Sequence, residues 1–336
     1  MDILITIVTV GGIFAMLSLA LNVQMGFAGL INFGIVAYFT AGAYAYVILT
    51  QPPPTEFDEY LFGFDQPVWV GLIGAALAAV VFAAITAWPC LRLRGEYLAL
   101  TTFAFAEVFG SLVTNTASIT NGTLGFLGIH QPLSDQVPPR SYPLVLAAMV
   151  AAAVLVTFLV VQRITRSPFG RTLLAIQNDE LAALQAGKNV RRFRLQAFLV
   201  GALISGVAGA LYTWYTTVVS PDQFVADVTF TVFIALTLGG IGSNLGAIAG
   251  AAVLIGFEEV VQLLATNPFI AERTGAVQAT LEGLLFIVLL RLAPGGAAGL
   301  LKRRHRPQAP HGDDGAASKR RLPVTDGNAD SVKAGA

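Results

Sequence analysis

Residues that commonly build catalytic and metal sites are scarce in this chain. It has one cysteine, Cys90, in an apolar stretch, which excludes an intramolecular disulfide framework and a cysteine-only metal cluster. The three histidines (His130, His305 and His311) are scattered, and two of them lie near the C-terminus. We therefore predict no metal site and no catalytic residue.

Several motifs are also missing. The chain has no GxxxxGK[ST] phosphate-binding loop, so it cannot hydrolyse ATP by that machinery. HExxH, GxSxG and CxxC motifs do not occur either, which leaves an intramembrane enzyme without a catalytic constellation. If the chain takes part in active transport, the energy must come from a partner.

Charge is scarce as well. Charged residues make up 12% of the chain and hydrophobic residues 55%, with a mean hydropathy of +0.70, whereas about a quarter of a soluble protein is charged. Apolar runs of roughly 18 residues or more predict an all-α polytopic membrane protein with about 8–10 transmembrane helices, some of them broken. We place the spans near 3–24, 27–50, 67–91, 97–117, 142–162, 195–217, 228–243, 246–265 and 276–292, and interpret the first as a retained helix rather than a signal peptide.

The Lys and Arg residues divide the loops into two groups. Residues 163–194 hold seven of the 20, residues 302–333 hold eight, and Arg92 and Arg94 form a smaller pair. Alternating spans place all three regions on one side, which the positive-inside rule identifies as the cytoplasm. The C-terminus is then cytoplasmic. We expect two regions, a transmembrane domain over 1–301 and a disordered cytoplasmic tail over 302–336 that has too few apolar residues for a core.

The basic loop 163–194 contains a short helix. The sequence DELAALQAG predicts it, with Asn178 as the N-cap residue and acidic residues at the positive end of the helix. Leu181 and Leu184 form an apolar stripe, and Gly187 stands where a C′ glycine belongs. Such a helix on the inner face of a membrane protein needs a docking partner.

Glycine is the other signature of the sequence, with 34 residues. Most of those in apolar segments are expected to allow close helix packing. The run from Gly239 to Gly250 predicts a tight turn between helices or a broken helix along a pathway. NVQMGFAG, between the first two segments, predicts a bend inside the membrane.

Polar residues inside apolar segments are the candidate pathway residues. Asn22, Gln24, Asn32 and Thr40 would either line a polar path or bridge helices. Glu107 is a candidate because a carboxyl inside the membrane costs free energy. It would either act in a pathway or in helix coupling, or hold two helices together as a protonated or hydrogen-bonded carboxyl. Three further carboxyls in apolar segments are Glu258, Glu259 and Glu282. Adjacent residues of a helix face different ways, so we expect at least one of Glu258 and Glu259 to reach the outer interface.

The sequence resembles the LivM-type permease subunits of bacterial branched-chain amino acid ABC importers. The matching stretches are LNVQMGFAGLINFGIVAYFTAGAYA, LRLRGEYLALTTFAFAEVF, SPFGRTLLAIQNDELAALQAGKNVRRFRLQAFLVGALISGVAGALY, LTLGGIGSNLGAIAGAAVL and LRLAPGGAAGLL. Their order and spacing over residues 21 to 300 carry the resemblance. Ile35 departs from it, because relatives often have histidine there.

The resemblance implies a type II ABC importer permease fold and an EAA-like coupling helix that fits a cleft in an ATPase subunit. The implied coupling residues are Asp179, Glu180, Ala182, Ala183 and Gly187. Leu181 separates the glutamate from the two alanines, as in the LivM-type variant.

The resemblance also implies partners in the bacterial inner membrane: a LivH-type second permease, two ATP-binding subunits that hold ATP and Mg²⁺, an extracytoplasmic solute-binding protein and membrane lipid. No nucleic acid is expected, and the chain itself would carry no cofactor. The alternatives are the same machinery with urea, amide, sugar or nucleoside cargo, and a stand-alone secondary transporter or channel, which has no reason to keep a coupling loop.

Overall fold

The chain folds almost entirely into helices. The computed structural model describes residues 2–54, 61–93, 95–134 and 136–264, with a few single positions between 280 and 291. In chain order the elements are α1 (Asp2–Leu21), a π-helical turn (Asn22–Phe27), α2 (Ile35–Thr50), α3 (Val68–Cys90), α4 (Glu96–Asn115), α5 (Ala117–Thr120), β1 (Phe126–Leu127), α6 (Tyr142–Arg166), α7 (Pro168–Asn178), α8 (Glu180–Gln185), α9 (Val190–Thr216), β2 (Val218–Val219), a 3-10 turn (Pro221–Gln223), α10 (Ala226–Gly239) and α11 (Asn244–Leu264).

The prediction of an all-α polytopic membrane protein is confirmed. Within the described part of the chain, seven helices are long and apolar enough to cross a membrane, and α2 is a shorter apolar helix. With 16 residues, α2 extends about 24 Å, which is less than the ~30 Å hydrocarbon core and too short to cross it alone. The predicted ninth segment, 276–292, and the tail, 302–336, lie outside the described residues apart from those single positions.

Small side chains fill the centre of the bundle. Helix α9 packs against α1, α2 and α3, and Gly206 lies so close to α3 that an added Cβ would meet the Ala75 carbonyl oxygen at 2.7 Å. Gly42 and Gly209 make similarly close backbone contacts between α2 and α9. The close-packing role predicted for these glycines is confirmed.

Helix α3 shows how the apolar residues are sorted. Its small residues recur at every fourth position and are buried: Gly71, Ala75, Ala79, Ala83 and Ala87. Its large side chains point outward: Trp69, Ile73, Leu77, Val81, Ile85 and Trp88. A soluble protein buries its large apolar residues, so this sorting is that of a chain surrounded by lipid or by other membrane subunits.

The connections gather on two sides of the bundle. Strands β1 and β2 pair antiparallel, with Phe126 opposite Val219 and Leu127 opposite Val218. The amide of Leu61 donates to the Ser118 carbonyl at 2.9 Å. Parts of three connections, 51–66, 118–141 and 218–227, therefore lie together, on the side that alternating spans place opposite the basic loops. The short helices α7 and α8 lie at the other ends of the spans.

Two predicted segment boundaries move for local reasons. Helix α9 begins at Val190 rather than near 195, because the Asn189 side chain accepts a hydrogen bond from the Arg192 amide at 3.1 Å and caps the helix. The second span begins at Ile35 rather than 27, because residues 28–34 leave helical geometry. The loop predicted over 163–194 is therefore mostly helical.

Candidate functional site

Helix α8, the short helix predicted in the basic loop, is held at both ends. Its N-cap is Asp179, whose carboxylate accepts a hydrogen bond from the Ala182 amide at 3.0 Å. The expectation of Asn178 as N-cap was wrong, because Asn178 has helical geometry and ends α7. The adjacent residue is extended, with φ −150°, and its short carboxylate reaches the free amide.

Gly187 ends the helix as predicted. Its φ is +74°, which suits glycine. The Gly187 amide donates to the Leu184 carbonyl at 2.9 Å, and the Lys188 amide donates to the Ala183 carbonyl at 3.1 Å. This pair of bonds is a Schellman motif, so the shape of α8 is set locally.

One side of α8 faces the protein. Ala183 is buried in a cluster with Ile176 and Val190, against which Phe193 packs. The Glu180 carboxylate forms an ion pair with Arg194 of α9 at 3.3 Å. These contacts attach α8 to the rest of the chain.

The other side of α8 faces outward. Leu181 is 67% exposed and Leu184 is 46% exposed. Ala182 is exposed as well. Two leucines on the surface of a basic loop form an apolar patch, hereafter the α8 patch, for which the described chain provides no cover.

Helix α7 connects α8 to the long helix α6. Its helical structure was not predicted from the sequence. Leu173 and Ile176 are its buried apolar residues, and Phe169 stacks on Phe193 with ring centroids 5.5 Å apart. The available signal was Pro168, at the first position of the helix after Ser167.

The bend predicted in NVQMGFAG is present and longer than expected. It comprises the π-helical turn and the non-helical residues 28–34, and we call residues 22–34 the helix break. Buried amides hold it together: Gln24 Nε2 donates to the Phe198 carbonyl of α9 at 2.9 Å, and Asn32 Nδ2 donates to Gln24 Oε1 at 2.8 Å. Such backbone is tolerated at membrane depth because side chains satisfy it and protein surrounds it.

Asn22 joins the break to a second irregular segment. Residues 240–243, hereafter the glycine turn, connect α10 to α11, as the glycine run predicted. Asn22 Oδ1 accepts a hydrogen bond from the Gly242 amide at 2.8 Å, and Asn22 Nδ2 donates to Asn244 Oδ1 at 2.9 Å. Asn244 Nδ2 then donates to Thr165 Oγ1 of α6 at 3.0 Å. This chain of amides ties three regions distant in sequence.

The four predicted pathway residues lie in different settings. Asn22 and Asn32 are fully buried in the helix break, where their amides bridge segments. Thr40 is buried and donates to the Val36 carbonyl of its own helix at 2.7 Å. Glu107 lies on the exposed side of α4, beside exposed Val108. The structure brings Asn22 and Asn32 together in one segment, but not Thr40 or Glu107.

Helix α4 nevertheless touches the helix break. The Phe33 amide donates to Thr102 Oγ1 of α4 at 3.1 Å. The Phe33 ring packs against Phe230 and Phe233 of α10, with centroids 5.7 and 5.2 Å apart. Glu107 follows Thr102 on the same helix, so the break and the carboxyl are linked through α4.

The chain is similar in sequence to known transport permeases. A family model described as "Branched-chain amino acid transport system / permease component" matches residues 3–292. The high-affinity branched-chain amino acid transport permease LivM of Escherichia coli (strain K12) is 29% identical over 280 residues, which cover 77% of this chain and 63% of that protein.

Two further relatives extend the comparison. The probable branched-chain amino acid transport permease LivM of Methanocaldococcus jannaschii is 27% identical over 263 residues, covering 71% of this chain and 75% of that protein. The permease LivH of Escherichia coli (strain K12) is 25% identical over 262 residues, covering 74% and 81%. The chain spans less than two thirds of the length of the E. coli LivM protein. No solved structure matches the chain.

Proposed function

The chain belongs to the branched-chain amino acid transport permease family, and from this premise we propose that it is the LivM-type membrane subunit of an ABC importer. Its cargo would be branched-chain amino acids, delivered by a solute-binding protein and moved across a bacterial inner membrane. Hydrolysis of ATP, with Mg²⁺, would take place in separate ATPase subunits. The chain itself would contribute no catalytic residue and no cofactor.

The single observation that supports this proposal best is the α8 patch. Leu181 and Leu184 are exposed on a short helix whose two ends are fixed. Burying an exposed leucine contributes roughly 1.5–3 kcal/mol, so a partner that covers both gains a substantial part of its binding energy. We assign that partner as an ATPase subunit, with Asp179, Glu180, Ala183 and Gly187 setting the shape and position of the helix and Ala182 lying in the contact.

The side on which α8 lies fits this assignment. The loop that carries it holds seven Lys and Arg residues, and positive loops remain in the cytoplasm, where ATP is available. The same rule places the basic C-terminal tail in the cytoplasm.

The exposed side of α4 is the proposed contact with a second, LivH-type permease. A carboxyl directed to lipid is costly, yet Glu107 is exposed beside Val108 and Leu112. This cost is avoided if the α4 side borders a hydrated pathway between two permease subunits. In this proposal Glu107 faces the pathway, Asn22 and Asn32 shape the helix break that α4 contacts at Thr102, and Thr40 supports α2.

The proposal is tested by purifying the chain through a C-terminal affinity tag in mild detergent and identifying the proteins that co-purify. We expect a second permease and an ATP-binding subunit. A chain that is recovered alone and moves solute in vesicles without ATP would instead be a secondary transporter. If the intact assembly takes up urea, an amide or a sugar but not leucine, the chain is still an ABC importer subunit, and the assignment of branched-chain amino acids as its cargo is wrong.

A further inference from the structure

Gln177 joins the α8 region to the helix break through an exposed hydrogen bond. It is next to last in α7, two residues before the Asp179 cap of α8. Its Nε2 donates to the carbonyl oxygen of Met25 at 3.2 Å. Met25 belongs to the π-helical turn of the helix break, so one hydrogen bond connects two segments 152 residues apart.

The Met25 carbonyl is free to accept because the helix ends nearby. The last carbonyls of a helix have no partner within it. The chain turns away after Phe27, and the Gln24 carbonyl is used by the Leu30 amide at 2.9 Å. Gln177 therefore satisfies a backbone group that the break itself releases.

A second contact shows that α7 presses directly on the break. Gly29 has φ +66°, and a Cβ added there would lie 3.1 Å from Gln177 Cγ and 3.7 Å from Gln177 Cα. The left-handed backbone favours glycine at this position, and its missing side chain leaves room for Gln177. The Gln177 side chain therefore packs directly against the main chain of the helix break.

The opposite side of the break is fixed to two other elements. Gly26 lies against the glycine turn, where an added Cβ would come within 2.8 Å of the Gly242 amide nitrogen. Gln24 is bonded to Phe198 of α9, and Asn22 is bonded to the glycine turn. A displacement of the break at Gln177 therefore acts on α9 and on the α10–α11 connection.

We propose that Gln177 is a positioning residue that transmits displacement of α8 to the helix break, and through it to α9 and the glycine turn. The inference rests on the proposed function, because it takes α8 as the helix that the ATPase moves. It adds a route inside this chain: α8, Gln177, the Met25 carbonyl and Gly29, then the amides of Asn22 and Gln24. Packed and hydrogen-bonded segments of this kind carry coupling between distant sites.

The test uses the complete importer, with the second permease, the ATPase subunits and the binding protein, in lipid nanodiscs. Gln177→Glu keeps the side-chain shape, removes the N–H donor and places a carboxylate against a carbonyl. We expect normal subunit assembly and basal ATPase activity, with stimulation by the leucine-loaded binding protein reduced roughly three- to tenfold. Gln177→Lys restores an N–H donor of similar reach and should recover most of the stimulation.

Gln196→Glu is the matched control, because Gln196 is exposed on α9 and takes the same change of charge. It should behave like the wild type. The proposed role of Gln177 would be overturned if ATPase stimulation were unchanged in Gln177→Glu. It would also be overturned if Gln177→Lys lost as much stimulation as Gln177→Glu. Loss of ATPase subunits from Gln177→Glu would place the residue in the docking contact and would overturn it as well. If the leucine-loaded binding protein did not stimulate ATPase activity of the wild-type assembly, the proposed function itself would be refuted, and with it the role of Gln177 that rests on it.

Discussion

The helix break and the α8 patch are built on opposite rules. The break places uncharged polar side chains inside the chain, and Asn22, Gln24 and Asn32 all have hydrogen-bond partners there. The α8 patch places Leu181 and Leu184 on the surface, outside the packed core. The break is therefore held by hydrogen bonds within this chain, whereas under the proposed function another protein covers the patch.

The largest expected effect comes from the patch. The double substitution Leu181→Ser and Leu184→Ser should weaken binding of the ATPase subunit roughly ten- to a hundredfold. The leucines are 67% and 46% exposed, so a partner that covers them newly buries about one leucine side chain, which contributes roughly 1.5–3 kcal/mol. The fold should be unchanged, since both residues are exposed. The measurement is the amount of ATPase subunit that co-purifies, together with the melting temperature of the chain.

Leu124 and Leu127 offer the matched control, because they are 69% and 70% exposed and lie on the opposite side of the bundle. Changing both to serine should leave ATPase binding intact. If the double variant of Leu181 and Leu184 co-purified with as much ATPase subunit as this control, the α8 patch would not be the docking surface.

An intermediate effect is expected in the break. Asn22→Leu removes two hydrogen bonds, the one that the Gly242 amide donates and the one that Asn244 Oδ1 accepts. The cost is about 1–3 kcal/mol of stability, measured as a lower melting temperature in detergent. Thr40→Val is the comparison variant, because it removes only a bond to the residue's own helix. Equal melting temperatures would show that the amide network does not hold the break.

A smaller effect, confined to the coupling between α8 and the rest of the chain, is expected on the inward side of α8. Ala183 faces inward on α8 against Ile176 and Val190, so Ala183→Glu tilts the helix without removing the leucines. Membrane insertion should be normal and stimulated ATPase activity should fall about three- to tenfold. Ala186→Glu, at an exposed position of the same loop, should have little effect. Normal transport by Ala183→Glu would contradict the assigned role of α8.

Local features of the sequence were sufficient for part of the structure. Hydropathy predicted the spans, and Gly187 predicted the end of α8, because its positive φ is a property of a single residue. The helix break was predicted because the first two apolar segments meet at NVQMGFAG, although its length was not predicted. The short helix α7 was missed although Phe169, Leu173 and Ile176 recur at helical spacing, because these residues lie within a basic loop that was interpreted by its charge.

Long-range contacts were beyond the reach of such reasoning. Asn22 and Asn244 are 222 residues apart, and no periodicity pairs one amide with another across such a distance. The same holds for Gln177 and Met25. Asn22 and Asn32 were selected as polar residues in apolar segments, and only the fold shows that they bridge segments. The exposed Glu107 differs from them because its partner would lie in another chain.

The most direct test of the account is uptake of labelled leucine by proteoliposomes that contain the assembled importer, with ATP on the side of α8 and the binding protein on the other. The account predicts uptake that requires ATP and disappears when Leu181 and Leu184 are both changed to serine. Uptake that continues without ATP, or that the double variant supports as well as the wild type, would contradict it.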